Sequence, residues 1–184
     1  MANFEIALAR TLKSEGGYSH DPTDRGGETA FGISRKAFPK WESWGYIEHI
    51  LHGGYTPKYL DGEIKPSVDN LYLTNFWKPL RADEIADQDI ANELFDFAVV
   101  AGVADSVKCL QRAVNSIFPK AQQLKDDGIL GDKTMVMINW PYKVEKMFFA
   151  EFKLNRLCHH IDDVCKNPEQ LKFLNGWKVR AINE

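Results

Sequence analysis

The chain has 184 residues, 44% of them hydrophobic and 12% aromatic, which is enough apolar material for a packed core and excludes a disordered polypeptide. A net charge of −3 and a pI near 6.0 exclude the basic field that holds a nucleic-acid backbone. No run approaches the roughly 18 apolar residues of a spanning helix, so no stable membrane insertion is expected.

Phe4, Leu8 and Leu12 recur at i, i+4 and i+8, with Ala7 between them, and predict an N-terminal amphipathic helix that Asn3 can cap. Met1 to Ser14 has no basic segment leading into an apolar run, so it reads as this helix and not as a secretion signal. Gly16-Gly17 should end the helix, leaving Glu15 on its last turn. From Tyr18 to Ser34 the texture turns polar and glycine-rich. Thr29, Phe31 and Ile33 then alternate at period two, which predicts at most a small β-hairpin near residues 18–33.

Arg35 to Leu60 is aromatic and broken by Pro39, Gly45, Gly53-Gly54 and Pro57, and predicts short helices and loops. A helix is expected from about Val68 to Trp77 with Ser67 as its cap. A strongly helical segment, Asp89 to Ala101, turns Ile90, Leu94, Phe97, Ala98 and Ala101 inward and stops at Gly102. Another runs from about Ala104 to Phe118 on Val107, Leu110 and Val114. After the turn Asp126-Asp127-Gly128, Asp132 can cap a short helix ending before Pro141. The longest helix, about Tyr142 to Val164, should bury Val144, Met147, Phe148, Phe152, Leu157 and Ile161 along one face. Asn167-Pro168-Glu169 starts a last helix docked by Leu171, Leu174 and Trp177. The fold class expected is mainly α.

Cys158 and Cys165 on one helix would lie about 10 Å apart, beyond the ~7 Å that a disulfide spans. The three cysteines are therefore expected to be reduced. Cys158, His159, His160, Asp162, Asp163 and Cys165 are metal-ligand types, but adjacent helical residues diverge and the two separated pairs of a zinc site are missing. Neither a metal nor a cofactor is expected. Tyr18, Trp41, Trp44, Tyr46, Tyr55 and Tyr59 could stack on sugars or simply pack.

The chemistry rests on one segment. Glu15-Gly16-Gly17-Tyr18, then Asp21-Pro22-x-Asp24-x-Gly26-Gly27-x-Thr29 and Gly32-Ile33-Ser34, resembles the catalytic signature of glycoside hydrolase family 108, the lysozyme-like N-acetylmuramidases and secretion activators. Tyr72 to Trp77, Leu94 to Val99 with Gly102, and Gly176-Trp177-x-x-Arg180 resemble further helices of that family. Leu110-Gln111 with Asp127-Gly128-x-x-Gly131-x-x-Thr134 resembles its peptidoglycan-binding region. The resemblance runs over roughly residues 2–180. It implies a lysozyme-like helical fold and cleavage of the β-1,4 bond between N-acetylmuramic acid and N-acetylglucosamine. Residues 1–90 would form the catalytic part and residues 91–184 a helical peptidoglycan-binding part, packed as one globular unit.

Glu15 aligns with the catalytic glutamate and would be the general acid, its carboxyl kept protonated by the negative end of the helix. Asp24 lies nine residues after Glu15, and Thr29 five after Asp24, where the phage-type lysozymes place an Asp nine on and a Thr six after that. Asp24 either positions water or stabilises the turn, and Asp21 is a competing carboxylate read first as a turn brace. Tyr18, Asp21, Gly26 and Gly27 are the candidate substrate contacts. Two departures stand out: Val100 where the family commonly has Asn, and His160 where Tyr is usual.

A non-catalytic wall-binding or secretion-assisting protein on the same fold, and a lytic transglycosylase, remain the alternatives. The partner implied is the peptidoglycan glycan strand, met by a monomer. The protein would be made in a bacterial or phage-infected cytoplasm without a signal peptide and would reach the wall through a holin or an exporter.

Overall fold

The structure, a computed structural model, describes residues 1–14, 17–20, 27–58, 63–140 and 145–183. Its helices are α1 (Phe4–Ser14), α2 (Trp44–His52), α3 (Ile64–Tyr72), α4 (Gln88–Ala101), α5 (Val103–Ile117), α6 (Asp132–Ile138), α7 (Glu145–Lys166) and α8 (Leu171–Asn183). Strands β1 (Tyr18–His20), β2 (Glu28–Ala30) and β3 (Ile33–Ser34) form one antiparallel sheet in the order β1-β2-β3. The fold is mainly α, as the helical periodicities require. It falls into two compact units, Leu8–Asn75 and Met1–Ala7 with Phe76–Glu184.

In the unit Leu8–Asn75, the sheet is pinned by its turn. Ala30 pairs with Ile33, so Phe31 and Gly32 are a two-residue link, both at positive φ (53° and 79°), as right-handed strand twist demands of a tight hairpin. Phe31 is therefore a turn residue and not the middle of an alternating strand, which corrects the period-two reading. Its strained backbone is held from both sides: its N–H donates to the Gly17 carbonyl (3.0 Å) and its carbonyl accepts from the Tyr72 hydroxyl (2.8 Å).

Ser67 does not cap a helix. α3 starts earlier, at Ile64, and admits Pro66 because a first-turn residue needs no intrahelical donor. The Ser67 hydroxyl instead accepts from the Trp41 indole (2.8 Å) and donates to Glu42 (3.0 Å). Past Tyr72 the chain widens into a π-helical stretch, Leu73–Trp77. There the Thr74 hydroxyl takes the Asn70 carbonyl (2.7 Å) and the Asn75 amide takes that of Leu71 (2.9 Å).

In the unit of Met1–Ala7 and Phe76–Glu184, Asn3 caps α1 as expected, its Oδ1 accepting from the Ile6 N–H (3.1 Å). Phe4, Trp77 and Phe95 meet edge to face, with centroids 5.6–6.0 Å apart. Asp87 caps α4 by accepting from Asp89 and Ile90, so that helix begins at Gln88. α4 is buried from Ile90 to Ala98 and packs on α5, which in turn packs on α7. Asp132 is the first residue of α6, not its cap. Gly131 holds the cap position, and Asp132 receives Arg81 at 2.7 Å.

The buried stripe of α7 also differs from expectation. Phe148 and Phe152 are buried, but the stripe continues through Arg156 and His160, while Met147 and Ile161 are exposed; Val144 lies outside the described residues. The reason is electrostatic. Arg156 pairs with Glu93 and with Asp96 (3.0 Å) out of water, and half-buried Arg180 of α8 donates to the same Asp96 at 2.6 Å. On α8, Leu171 is exposed, whereas Leu174 and Trp177 are half-buried.

Candidate active site

Of the residues singled out for chemistry, Glu15, Asp21, Asp24 and Gly26 lie outside the described residues, as does Tyr59. Tyr18, Gly27 and Thr29 are described, and the sheet fixes all three. Register places Ser19 opposite Thr29 and Thr29 opposite Ser34, so three hydroxyl-bearing residues form one cross-strand row on a single face. On the other face Tyr18 and Ala30 pair beside Glu28. Thr29 is half-buried, and among the described residues its hydroxyl donates to the Gly27 carbonyl at 3.4 Å. Gly27 has φ +63°, in the left-handed region that favours glycine, and among the described residues nothing lies within 4 Å of an added Cβ.

Tyr18 has a structural partner. Its hydroxyl donates to Glu28 Oε1 at 3.1 Å. Burial, then the Glu28 carboxylate, push the phenol above its ordinary value, so it stays a protonated donor. Glu28 also takes Arg35, which extends Nη1 to Glu48 (2.8 Å) and lies 4.4 Å over the Trp44 ring. This chain of Tyr18, Glu28, Arg35 and Glu48 was not foreseen from the sequence. The signal was available in the pairing: with Thr29 opposite Ser34, the next positions out are Glu28 and Arg35, an opposite-charge cross-strand pair.

The aromatic candidates divide clearly. Trp44 is buried and gives its indole N–H to the Phe38 carbonyl (2.8 Å); Trp41 meets it edge to face at 5.1 Å. Tyr55 is exposed and Tyr46 half-buried. Among the cysteine and histidine residues of α7, His159 faces Asp163 at 3.3 Å and His160 stacks on Trp177 at 4.7 Å. Burial, with His159, Arg156 and Arg180 nearby, lowers His160 to about 4, so it is a neutral packing ring. All three cysteines are free, and burial pushes the Cys109 thiol up to about 12. No group of three or more metal-ligating side chains occurs among the described residues.

The motif resembling a peptidoglycan-binding region is satisfied internally. The Gln111 amide donates to Asp127 (3.0 Å) and to the Ile129 carbonyl (3.1 Å), and its oxygen accepts from the Gly128 N–H (3.0 Å). Gly128 has φ +74°, and a Cβ there would sit 2.7 Å from the Ala104 carbonyl oxygen. These residues staple a loop onto α5.

With this geometry in view, the comparisons with known proteins decide the family. The family model described as glycosyl hydrolase 108 matches residues 8–102, a span that contains α1 from Leu8 onward, the whole sheet, α2, α3 and α4. The chain belongs to the glycosyl hydrolase 108 family. It is thus a member of a glycoside hydrolase family with a mainly helical fold. Among solved structures it is similar to that of Brucella abortus SagA, with a TM-score of 0.62 and 21% identity over 98% of this chain and 94% of that one, a likeness of fold. No curated protein sequence matches it. No helix among the described residues is long and apolar enough to cross a membrane.

Proposed function

We propose that this glycosyl hydrolase 108 member is an N-acetylmuramidase that cleaves the β-1,4 bond between N-acetylmuramic acid and N-acetylglucosamine in peptidoglycan. The observation that carries the reading is the family match over residues 8–102, which takes in the segment from Glu15 to Thr29. Glycoside hydrolysis needs an acid that holds its proton until the leaving oxygen takes it, and a second group that handles water or the oxocarbenium-like state. Glu15 follows directly on Ser14, the last residue of α1. The negative end of a helix macrodipole disfavours a carboxylate, which suits the acid role. Asp24 and Thr29 would serve the water, and Tyr18, Asp21, Gly26 and Gly27 would lie along the sugar. The strand would be reached from the cytoplasm through a holin or an exporter, by a monomer.

The test is digestion of purified peptidoglycan with mass analysis of the muropeptides. Hydrolysis adds one water to each new reducing end. Products lacking that water, with a 1,6-anhydro end, would replace hydrolysis by lytic transglycosylation. Binding without any new ends would replace both by a non-catalytic wall-binding role. Asp24→Asn should slow release less than loss of the acid does, and Asp21→Asn least.

A further inference from the structure

A second feature of the unit Leu8–Asn75 has no part in the reading above. The chain after β3 and the outer side of α3 with its π-helical extension enclose an open cleft of about 410 Å³. One wall carries Phe38, Lys40 and Glu42; the other carries Asn70, Leu71 and Asn75. Both walls are anchored: the Phe38 carbonyl is held by the buried Trp44, and Tyr72, next to Leu71, is bonded to the hairpin turn at Phe31.

The cleft contains an oriented carboxylate. The Trp41 indole N–H donates to Ser67 Oγ (2.8 Å), and the Ser67 hydroxyl then donates to Glu42 Oε1 (3.0 Å). Trp41 and Ser67 are buried, whereas Glu42 is exposed. Holding an exposed carboxylate in one rotamer costs side-chain entropy, and an exposed polar contact returns little stability. A relay that aims it into a cleft is intelligible as pre-organisation for a ligand. The other Glu42 oxygen, the whole Asn70 amide and the Asn75 Oδ1 make no hydrogen bond among the described residues. The vacant groups are thus one carboxylate oxygen, one carboxamide and one amide oxygen, beside the half-buried Phe38 and the edge of the buried Leu71. Lys40 and Glu42 cancel in charge, so a neutral ligand fits better than an ion.

We infer that this cleft is a saccharide-binding site, with Glu42 and Asn70 hydrogen-bonding the hydroxyl and acetamido groups of an N-acetylated β-1,4 glycan whose C–H face lies on Leu71 and Phe38. The choice of that glycan rests on the muramidase reading. Neutral sugars carry adjacent donor and acceptor hydroxyls on a ring with apolar faces, which is the complement of this lining. Ser67 is a positioning residue, acting through Glu42.

The experiment is a titration of the full chain with chitotetraose, the β-1,4 tetramer of N-acetylglucosamine, followed by amide and indole NMR signals and by calorimetry. The side-chain amides of Asn70 and Asn75 and the Trp41 indole should shift together. Glu42→Gln should weaken binding roughly tenfold, the scale of one hydrogen bond to a charged group. Asn70→Ala, on an exposed helix position, should weaken it by a smaller factor without changing the melting temperature. On peptidoglycan, Glu42→Gln should raise KM more than it lowers kcat. Unchanged affinity in both variants overturns the site. Binding of a stem peptide carrying a free ammonium, in place of the saccharide, overturns the ligand class. A chain that binds chitotetraose through Glu42 yet digests no wall keeps this site and loses the muramidase reading. A chain that digests wall with Glu42 and Asn70 variants binding like wild type does the reverse.

Discussion

The sheet segment and the helical segment from α4 to α8 both carry family-like motifs, but they use their polar residues in opposite ways. In the helical segment the motif residues satisfy one another. Asp96 is shared by Arg156 and Arg180, Gln111 closes a loop through Asp127 and Gly128, and each partner is within the protein. In the sheet, the Thr29 hydroxyl reaches among the described residues a neighbouring carbonyl at 3.4 Å, within a cross-strand row of hydroxyl-bearing residues. Hydrogen-bond satisfaction therefore separates a motif kept for folding from one available to a ligand, where residue identity alone does not.

The difference can be attacked from the folding side first, where the largest stability effect is expected. Arg156→Met would remove the buried cation that pairs with Glu93 and Asp96, while Asp96 keeps Arg180. Removing one partner of a buried pair costs about 3–5 kcal/mol. Denaturant unfolding should register this loss, with any residual wall activity scaling with folded protein. A loss of activity without a loss of stability would move the network from the fold to the site.

Gly128→Ala is smaller. The left-handed backbone at φ +74° costs an L-residue about 1–2 kcal/mol, and contact with the Ala104 carbonyl adds to it. Thermal unfolding should show a lower midpoint with sugar affinity unchanged. A selective loss of wall binding would mean that the loop meets the glycan after all.

His160 gives an effect that is absent at neutral pH and emerges only in acid. Its folded value, about 4, lies below the ordinary 6.5, so below pH 6.5 the unfolded chain binds a proton that the folded chain refuses. Stability is unaffected above that range and declines as pH falls from about 6.5 towards 4. The fall from 6.5 to about 4 corresponds to a loss of about 3 kcal/mol. His160→Phe keeps a ring against Trp177 and should flatten this stretch of the stability–pH curve. An unchanged acid slope would assign the sensitivity to other groups.

Much of the fold was legible because it rests on periodicity and caps. The buried positions Val107, Leu110 and Val114 of α5 follow its 3.6-residue pattern, and Asn3 caps α1 as its residue type predicts. What could not be read was set by tertiary pairing. Arg156 and His160 occupy the buried stripe of α7 because carboxylates and an indole wait on α4 and α8, a fact absent from α7 itself. Ser67 looked like a cap because its distant partners, Trp41 and Glu42, lie about 25 residues earlier in the chain. At the candidate site, the Glu15-to-Thr29 motif was visible as a spacing, whereas the Glu28–Arg35–Glu48 chain needed the strand register. His160 shows the same limit: its departure from the usual Tyr was seen, but its stacking role was not.

The central claim is that Glu15 is the general acid of a muramidase, and the most direct measurement compares wild type with Glu15→Gln on purified peptidoglycan, counting new reducing ends. The amide is isosteric and still donates a hydrogen bond, but it has no acidic proton to give the leaving oxygen. Hydrolysis should fall by roughly 10² to 10⁴, with the unfolding midpoint and sugar affinity close to wild type. Near-wild-type release of reducing ends by Glu15→Gln would contradict the account.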